Sequence, residues 1–362
     1  MDSLTIGFLG GVSLVLLFAT AVTYVLRRKK DYGIDPAVLE TLQARIRAWW
    51  LLFGSLVAAF LLGPFVTLLL FLFISFWAFQ EYITLTPTRP ADNNTLSFVI
   101  FGLPLLQFVL VGLDREWFYH WFRMDSYLVF SILIPAYIFL IVPAFIAMSG
   151  DAKHFLERIA KIQVGLLICV YSLSFAPALL TMELPQATKT AESGIAIPTP
   201  LPGGVDAKIA RDLHLEADTL ISPNPKMKYE NLRLLFFLIL VVQFSDIFVY
   251  LWSQIRVKHW IAPAINSTRT WEGAIGGTAT TTLFGTALWW FTPLVWWQAG
   301  LASMGVSLMG LAGGLTMSAI KRDCGVDDYG TLIEGHSGLL DRIDSLCFAA
   351  PVFYHTVWMF CG

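Results

Sequence analysis

The chain has 362 residues, 56% of them hydrophobic and only 14% charged, with a formal net charge of −2. A soluble domain carries about 25% charged residues, so this composition excludes an ordinary soluble globule and indicates an integral membrane protein. The slight acidity argues against nucleic acid as a partner, since nucleic-acid binders present a basic face. Four scattered cysteines, Cys169, Cys324, Cys347 and Cys361, suggest neither a disulfide framework nor a zinc site.

In chain order, apolar segments long enough for a hydrocarbon core of about 30 Å fall near 6–26, 65–84, 96–112, 126–148, 163–182, 233–252, 273–298, 300–320 and 345–361. The first is followed by Arg27-Arg28-Lys29-Lys30 and lacks a basic stretch before it, so it reads as a signal anchor rather than a cleaved leader. A shorter run at 48–62 is divided from the next by Gly63-Pro64, where proline breaks the helix. The fold expected is all-α and polytopic, with about ten transmembrane helices.

With the amino terminus outside, the inner segments 27–47, 85–95, 149–162, 253–272 and 321–344 hold sixteen of the 24 Lys and Arg residues. That excess matches the positive-inside tendency. It places the polar, glycine-bearing stretches of the C-terminal half on the cytoplasmic side of what is expected to be the cytoplasmic (inner) membrane. Three regions follow: transmembrane helices over 1–182, a polar extracytoplasmic loop over 183–232 rich in Pro, Thr, Ala and Gly, and a C-terminal transmembrane region over 233–362. The segment Lys153 to Lys161 reads as an amphipathic interfacial helix with Lys153, Arg158 and Lys161 facing headgroups. Tryptophan clusters such as Trp49-Trp50 and Trp289-Trp290 sit near span ends, as interfacial belts do.

Charge is concentrated near the C-terminus. Between two apolar segments stand Lys321, Arg322, Asp323, Asp327, Asp328, Glu334, His336, Asp341, Arg342 and Asp344. Ionisable groups this dense beside membrane helices mark a site by default. On a helix, Asp341 and Asp344 share a face, and two carboxylates there suit a hard cation such as Mg²⁺, which takes oxygen ligands and bridges to phosphates. The bland reading is a pair of acids at a helix start. Cations and carboxylates together are what a nucleoside triphosphate and its metal require.

Gly335-His336-Ser337-Gly338 is a small-residue turn in which backbone N–H groups could approach an anion. Lys321-Arg322 ends a span, where a basic pair ordinarily snorkels to headgroups. Ser318 and Lys321 also fit the Ser-x-x-Lys pattern of penicillin-binding enzymes, but the partner motifs are absent and the face of the membrane is wrong. Upstream, Asp246 lies inside an apolar span. The run from Asn266 to Gly277, with Arg269, Thr270 and Glu272, reads as a phosphate-contacting turn leading into a helix N-terminus.

Taken together these residues resemble the phosphatidate cytidylyltransferases (CDP-diacylglycerol synthases). That family's signature runs Ser-x-x-Lys-Arg, Lys-Asp, Pro-Gly-His-Gly-Gly and Asp-Arg-x-Asp. Here Ser318, Lys321, Arg322, Asp328, Gly335, His336, Gly338, Asp341, Arg342 and Asp344 stand at matching spacing. Asp246 matches a family Asp, and Thr270-Trp271-Glu272-Gly273-Ala274-Ile275-Gly276-Gly277 echoes its upstream block. The likeness is strong over about 240–355 and vague before that. Where the family has Asp, this chain has Gly314. Asp327 stands for Lys, Glu334 for Pro, Ser337 for Gly, and Asn266-Ser267-Thr268-Arg269 for Ser-Pro-Lys-Lys.

The resemblance implies transfer of a cytidylyl group from CTP to phosphatidate, with Mg²⁺ or another divalent cation, at the cytoplasmic face of the C-terminal helices. It assigns Asp341, Asp344, Asp246 and Asp328 to the metal, and Ser318, Lys321, Arg322, His336 and Arg342 to catalysis. Arg269, Thr270, Glu272, Gly335 and Gly338 would bind substrate. A homodimer follows by family analogy alone. Two other readings stay open: a diverged paralogue acting on another phospholipid or nucleotide, and a non-catalytic lipid-binding membrane protein.

Overall fold

A computed structural model describes residues 61–85, 93–113, 115–124, 126–182, 225–254, 259–326 and 338–361, together with isolated positions between Gly7 and Ala58. Among the described residues, six helices are long and apolar enough to cross a membrane. They are α1 (Pro64–Thr84), α2 (Thr95–Gly112), α4 (Ser126–Met148), α5 (Phe155–Thr181), α6 (Pro225–Trp252, apolar from Asn231) and α8 (Trp296–Asp323). A short helix α3 (Arg115–Phe122) links α2 to α4. Two further helices, α7 (Trp271–Ala287) and α9 (Leu340–Cys361), pack among them. This is an integral membrane protein of predominantly helical fold. The expected segments 6–26 and 48–62 lie largely outside the described residues.

Local chemistry explains where the elements start and stop. Gly63, at φ 110°, turns the chain in a conformation open to glycine, and Pro64 then opens α1 at a position where its missing N–H is no loss. In α4 a π-helical turn spans Leu133–Ile138 around Pro135, since proline cannot donate to the helical ladder.

Three expected boundaries move. The run 273–298 is not one span: α7 ends at Ala287, Trp289–Phe291 forms a 3₁₀ turn, and α8 begins at Trp296 beyond Pro293. The final span, expected from 345, begins at Leu340, and Asp341 and Asp344 stand on that helix as their spacing expects. The interfacial helix is instead the first turns of α5, which continues unbroken into the core. Arg158 does not face headgroups but is 7% exposed, donating from Nη1 to the carbonyls of Asp151 (2.8 Å) and Lys153 (3.1 Å). Lys161 pairs with Glu157 at 2.7 Å. Apolar continuity hid the first break, and the buried Arg158 is held by backbone that sequence spacing does not display.

Helices α6 to α9 pack on one another, and α9 also packs against α5 and α1. Small residues set these approaches. A Cβ on Gly277 would stand 2.7 Å from Val249 Cα, so α6 and α7 touch backbone to backbone. One on Gly313 would meet Asp344 O at 3.0 Å, so α9 lies equally close to α8. Close approach of this kind is how helices gain packing contacts in lipid. The hydroxyl of Ser245 on α6 donates to that of Ser307 on α8 (2.8 Å), which also contacts Thr278 on α7 (3.2 Å). These bonds satisfy groups that hydrocarbon would leave bare.

A small antiparallel hairpin, β1 (Trp260–Ala262) and β2 (Asn266–Thr270), connects α6 to α7. The sequence reading anticipates no strand. Its function is positional, because it hands Arg269 to the adjoining helix ends.

Candidate active site

The C-terminal end of α6, the N-terminal ends of α7 and α9 and the C-terminal end of α8 meet beside the hairpin. Asp246 lies six residues before the end of α6, at Trp252. Its Oδ1 accepts a hydrogen bond from the Ser345 hydroxyl at 3.0 Å, and Arg269 Nη2 approaches the same oxygen at 3.6 Å. Asp344, beside Ser345 on α9, accepts from the Ser345 backbone N–H at 2.7 Å. On α8, Gly314 faces both: a Cβ built there would stand 2.9 Å from Arg269 Nη2 and 3.8 Å from Asp344 Oδ2. Three distant elements thus bring Asp246, Arg269 and Asp344 together beside Gly314, with the guanidinium paired to Asp246.

A second pair lies alongside. Lys321 Nζ on α8 meets Asp341 Oδ1 on α9 at 2.7 Å, with their side chains only 19% and 10% exposed. Although Asp341 and Asp344 share a helix and are three residues apart, only Asp341 is paired with Lys321, whereas Asp344 accepts from the Ser345 backbone N–H. Ser318 donates to the carbonyl of Gly314 (2.7 Å) and accepts from Asn266 Nδ2 (2.9 Å), which ties β2 to α8. Arg322 is exposed at the end of α8, and Arg342 is half-buried beside Asp341.

The upstream run folds differently from a phosphate turn. Thr270 is 1% exposed and is the N-cap of α7, accepting from the Gly273 N–H at 3.1 Å and donating to Ser253 at 3.3 Å. Such a cap satisfies a donor that the first helical turn leaves orphaned. Gly273, Gly276 and Gly277 lie within α7, against α6, rather than in a turn. Glu272 accepts from the backbone N–H of His259 and pairs with its ring. The His259 ring is the larger influence, and with the backbone N–H it holds the Glu272 carboxyl down at about 2.

Gly338 is buried just ahead of α9. Gly335, His336 and Asp328, with Asp327 and Glu334, lie outside the described residues.

Glu81 is a residue that the sequence reading passes over. It sits near the end of α1, 4% exposed, and its carboxylate accepts from the backbone N–H groups of Leu339 (3.1 Å) and Leu340 (2.9 Å) and from the Trp77 indole (3.1 Å). It therefore caps the start of α9 from the N-terminal half of the chain, where negative charge is favoured. A signal was available: Glu81 is an acid inside an apolar span.

The donor set fits one hard divalent ion. Asp246 and Asp344 come from facing helices with oxygens only, and Mg²⁺ is commonly bound by one or two carboxylates plus substrate phosphates. Among the described residues no three His, Cys or acidic side chains converge as a metal-binding group.

Comparison with known proteins identifies the family. The chain is 31% identical over 325 residues to the uncharacterized protein YnbB of Escherichia coli (strain K12), covering 88% of this chain and 87% of that one. It is 34% identical over 125 residues to a phosphatidate cytidylyltransferase of Staphylococcus epidermidis (strain ATCC 35984) and 35% over 126 residues to one of Staphylococcus aureus (strain COL). Each of those matches covers 34% of this chain and 48% of the staphylococcal protein, so the likeness to them spans about half their length. A profile of the cytidylyltransferase family matches residues 43–360, almost the whole chain, and the protein belongs to that family.

Proposed function

We propose that the protein transfers a cytidylyl group from CTP to phosphatidate, giving CDP-diacylglycerol and pyrophosphate. The observation that carries this reading is the convergence of Asp246, Arg269 and Asp344 beside the Lys321–Asp341 pair, at one end of the α6–α9 bundle. We place that end at the cytoplasmic face of the inner membrane, where CTP is found and where the Lys and Arg excess lies.

The acceptor phosphate is already an anion, so the reaction needs neither an enzyme nucleophile nor a strong base. One of its oxygens attacks the α-phosphorus of CTP, the bond from that phosphorus to the bridging oxygen breaks, and pyrophosphate leaves with the electron pair. The protein's work is alignment and neutralisation of charge in a site shielded from water. Arg269 and Lys321 offer N–H donors to phosphate oxygens, and Arg322 and Arg342 extend the basic surface toward the lipid headgroup. A divalent ion held by Asp246 and Asp344 would polarise phosphoryl oxygens. Ser318, His336, Gly335 and Gly338 would shape the nucleotide pocket, and Asp328 and Asp341 would support the cation binding.

The test is pyrophosphate release from CTP and phosphatidate by the protein in mixed micelles with Mg²⁺, beside Asp344→Asn and Asp341→Asn. Divalent-dependent turnover that falls at least 100-fold in Asp344→Asn is expected, in line with loss of a metal or phosphate contact in a shielded site. Near-normal turnover in both variants would sink the assignment. A second reading, transfer to a different phosphorylated lipid, is favoured by one fact: full-length similarity runs to YnbB, whereas the named phosphatidate enzymes match a third of the chain. Turnover with another phospholipid phosphate, and none with phosphatidate, would select it.

A further inference from the structure

We infer that Arg269 is a built-in cation of the Asp246–Asp344 pair, seated in the space left by Gly314, so that this carboxylate pair is partly neutralised before any ion arrives. The inference deepens the nucleotidyl-transfer reading and rests on it for its catalytic consequence. Its structural basis is independent.

Gly314 is buried on α8, and the nearest atom to a Cβ built there is Arg269 Nη2 at 2.9 Å, with Cζ at 3.6 Å. Any side chain at 314 would overlap the guanidinium as it stands. The same guanidinium lies 3.6 Å from Asp246 Oδ1, and the imagined Cβ is 3.8 Å from Asp344 Oδ2. Arg269 therefore fills the volume that an acidic side chain at position 314 would claim, and it is paired with Asp246.

Why arginine suits the position follows from its chemistry. Its planar group stays charged, is weakly hydrated and carries five donors, so it can address one carboxylate and keep N–H groups for another anion. Its side chain is 17% exposed, which leaves one edge toward the site. Delivery is rigid, because β2 is pinned on both sides of Arg269: Asn266 to Ser318, and Thr270 to the cap of α7. A fixed guanidinium on Asp246 and near Asp344 weakens their attraction for a divalent cation, and it supplies phosphate-matched donors that a second ion would otherwise provide.

The experiment reads ion binding directly. The full-length protein in mixed micelles is titrated with Mn²⁺ and free ion is followed by electron paramagnetic resonance, for the wild type, Arg269→Gln and Arg269→Met. Asp246→Asn locates the site. Both altered proteins are expected to bind Mn²⁺ at least ~10-fold more tightly than the wild type, as removing a nearby fixed charge in a shielded site requires. Arg269→Met tests the same point if Arg269→Gln does not fold. Equal Mn²⁺ affinity in the wild type and the folded variants would overturn the inference. The catalytic reading separates cleanly: tightened Mn²⁺ binding without CDP-diacylglycerol formation in any protein would refute the activity and leave the built-in cation standing. Turnover with unchanged Mn²⁺ affinity would do the reverse.

Discussion

Replacing Glu81 tests whether the N-terminal half of the chain is part of the catalytic apparatus. The Glu81 carboxylate is 4% exposed and holds the Leu339 and Leu340 N–H groups at 3.1 and 2.9 Å, at the mouth of the helix that carries Asp341 and Asp344. In Glu81→Ala both donors lose their acceptor, and each buried group left unpaired costs about 1–3 kcal/mol, or about 2–6 kcal/mol for the two. Glu81→Gln keeps one acceptor oxygen but loses the charge that complements the helix terminus, so about 1–3 kcal/mol is expected. The start of α9 should then shift or fray, and a displacement of about 1 Å in a positioned group lowers turnover about 100-fold. The assay pairs denaturant unfolding in micelles with pyrophosphate release. Loss of activity should follow the order Ala, then Gln, and exceed the loss of folded protein. If Glu81→Ala turns over within twofold of wild type and unfolds at the same denaturant concentration, the cap does not position α9.

Three further outcomes follow from single contacts. Lys321→Met leaves the Asp341 carboxylate, 10% exposed, without its 2.7 Å partner, and breaking a shielded pair from one side costs about 3–5 kcal/mol; removal of both charges in Lys321→Met with Asp341→Leu should recover most of the unfolding midpoint but not turnover. Gly277→Val places a branched side chain where Val249 Cα and N already stand 2.7 and 2.8 Å from a Cβ, so α6 and α7 must separate, and the yield of folded protein should collapse. For Glu272, whose carboxyl is held at about 2 by His259, folding stability from the pairing is present above its ordinary value of 4.5 and is lost as pH falls toward 2. Glu272→Gln should flatten the acid limb of stability between those values, and an unchanged limb would mean the pairing contributes nothing.

How much of this was legible in the sequence depends on the range over which each signal acts. The spans α1, α2, α4 and α6 were readable to within a few residues because hydropathy is local and twenty apolar residues have few alternatives. The division between α7 and α8 was not, since Leu288, Trp289, Trp290 and Phe291 keep the run apolar while the chain turns. The hairpin was invisible for a related reason: Asn266-Ser267-Thr268-Arg269-Thr270 is polar enough to read as a loop, and its pairing with Trp260–Ala262 is set by the helices that it bridges.

The site divides in the same way. Charge density picked out Lys321, Asp341 and Asp344, and helical spacing put the two acids on one face. Spacing could not show that their carboxylates part, Asp341 toward Lys321 and Asp344 toward Asp246 and Arg269, because the cations come from other elements. Read one position at a time, Gly314 is a missing acid and Arg269 a substituted basic residue. Side by side in space they are one change, in which a side chain is removed from α8 and a larger cation on β2 takes its volume. A substitution at either position alone would leave a hole or an overlap beside two carboxylates. The pair therefore has to be altered together to separate what the site lost in acid from what the larger, planar guanidinium brings in its place.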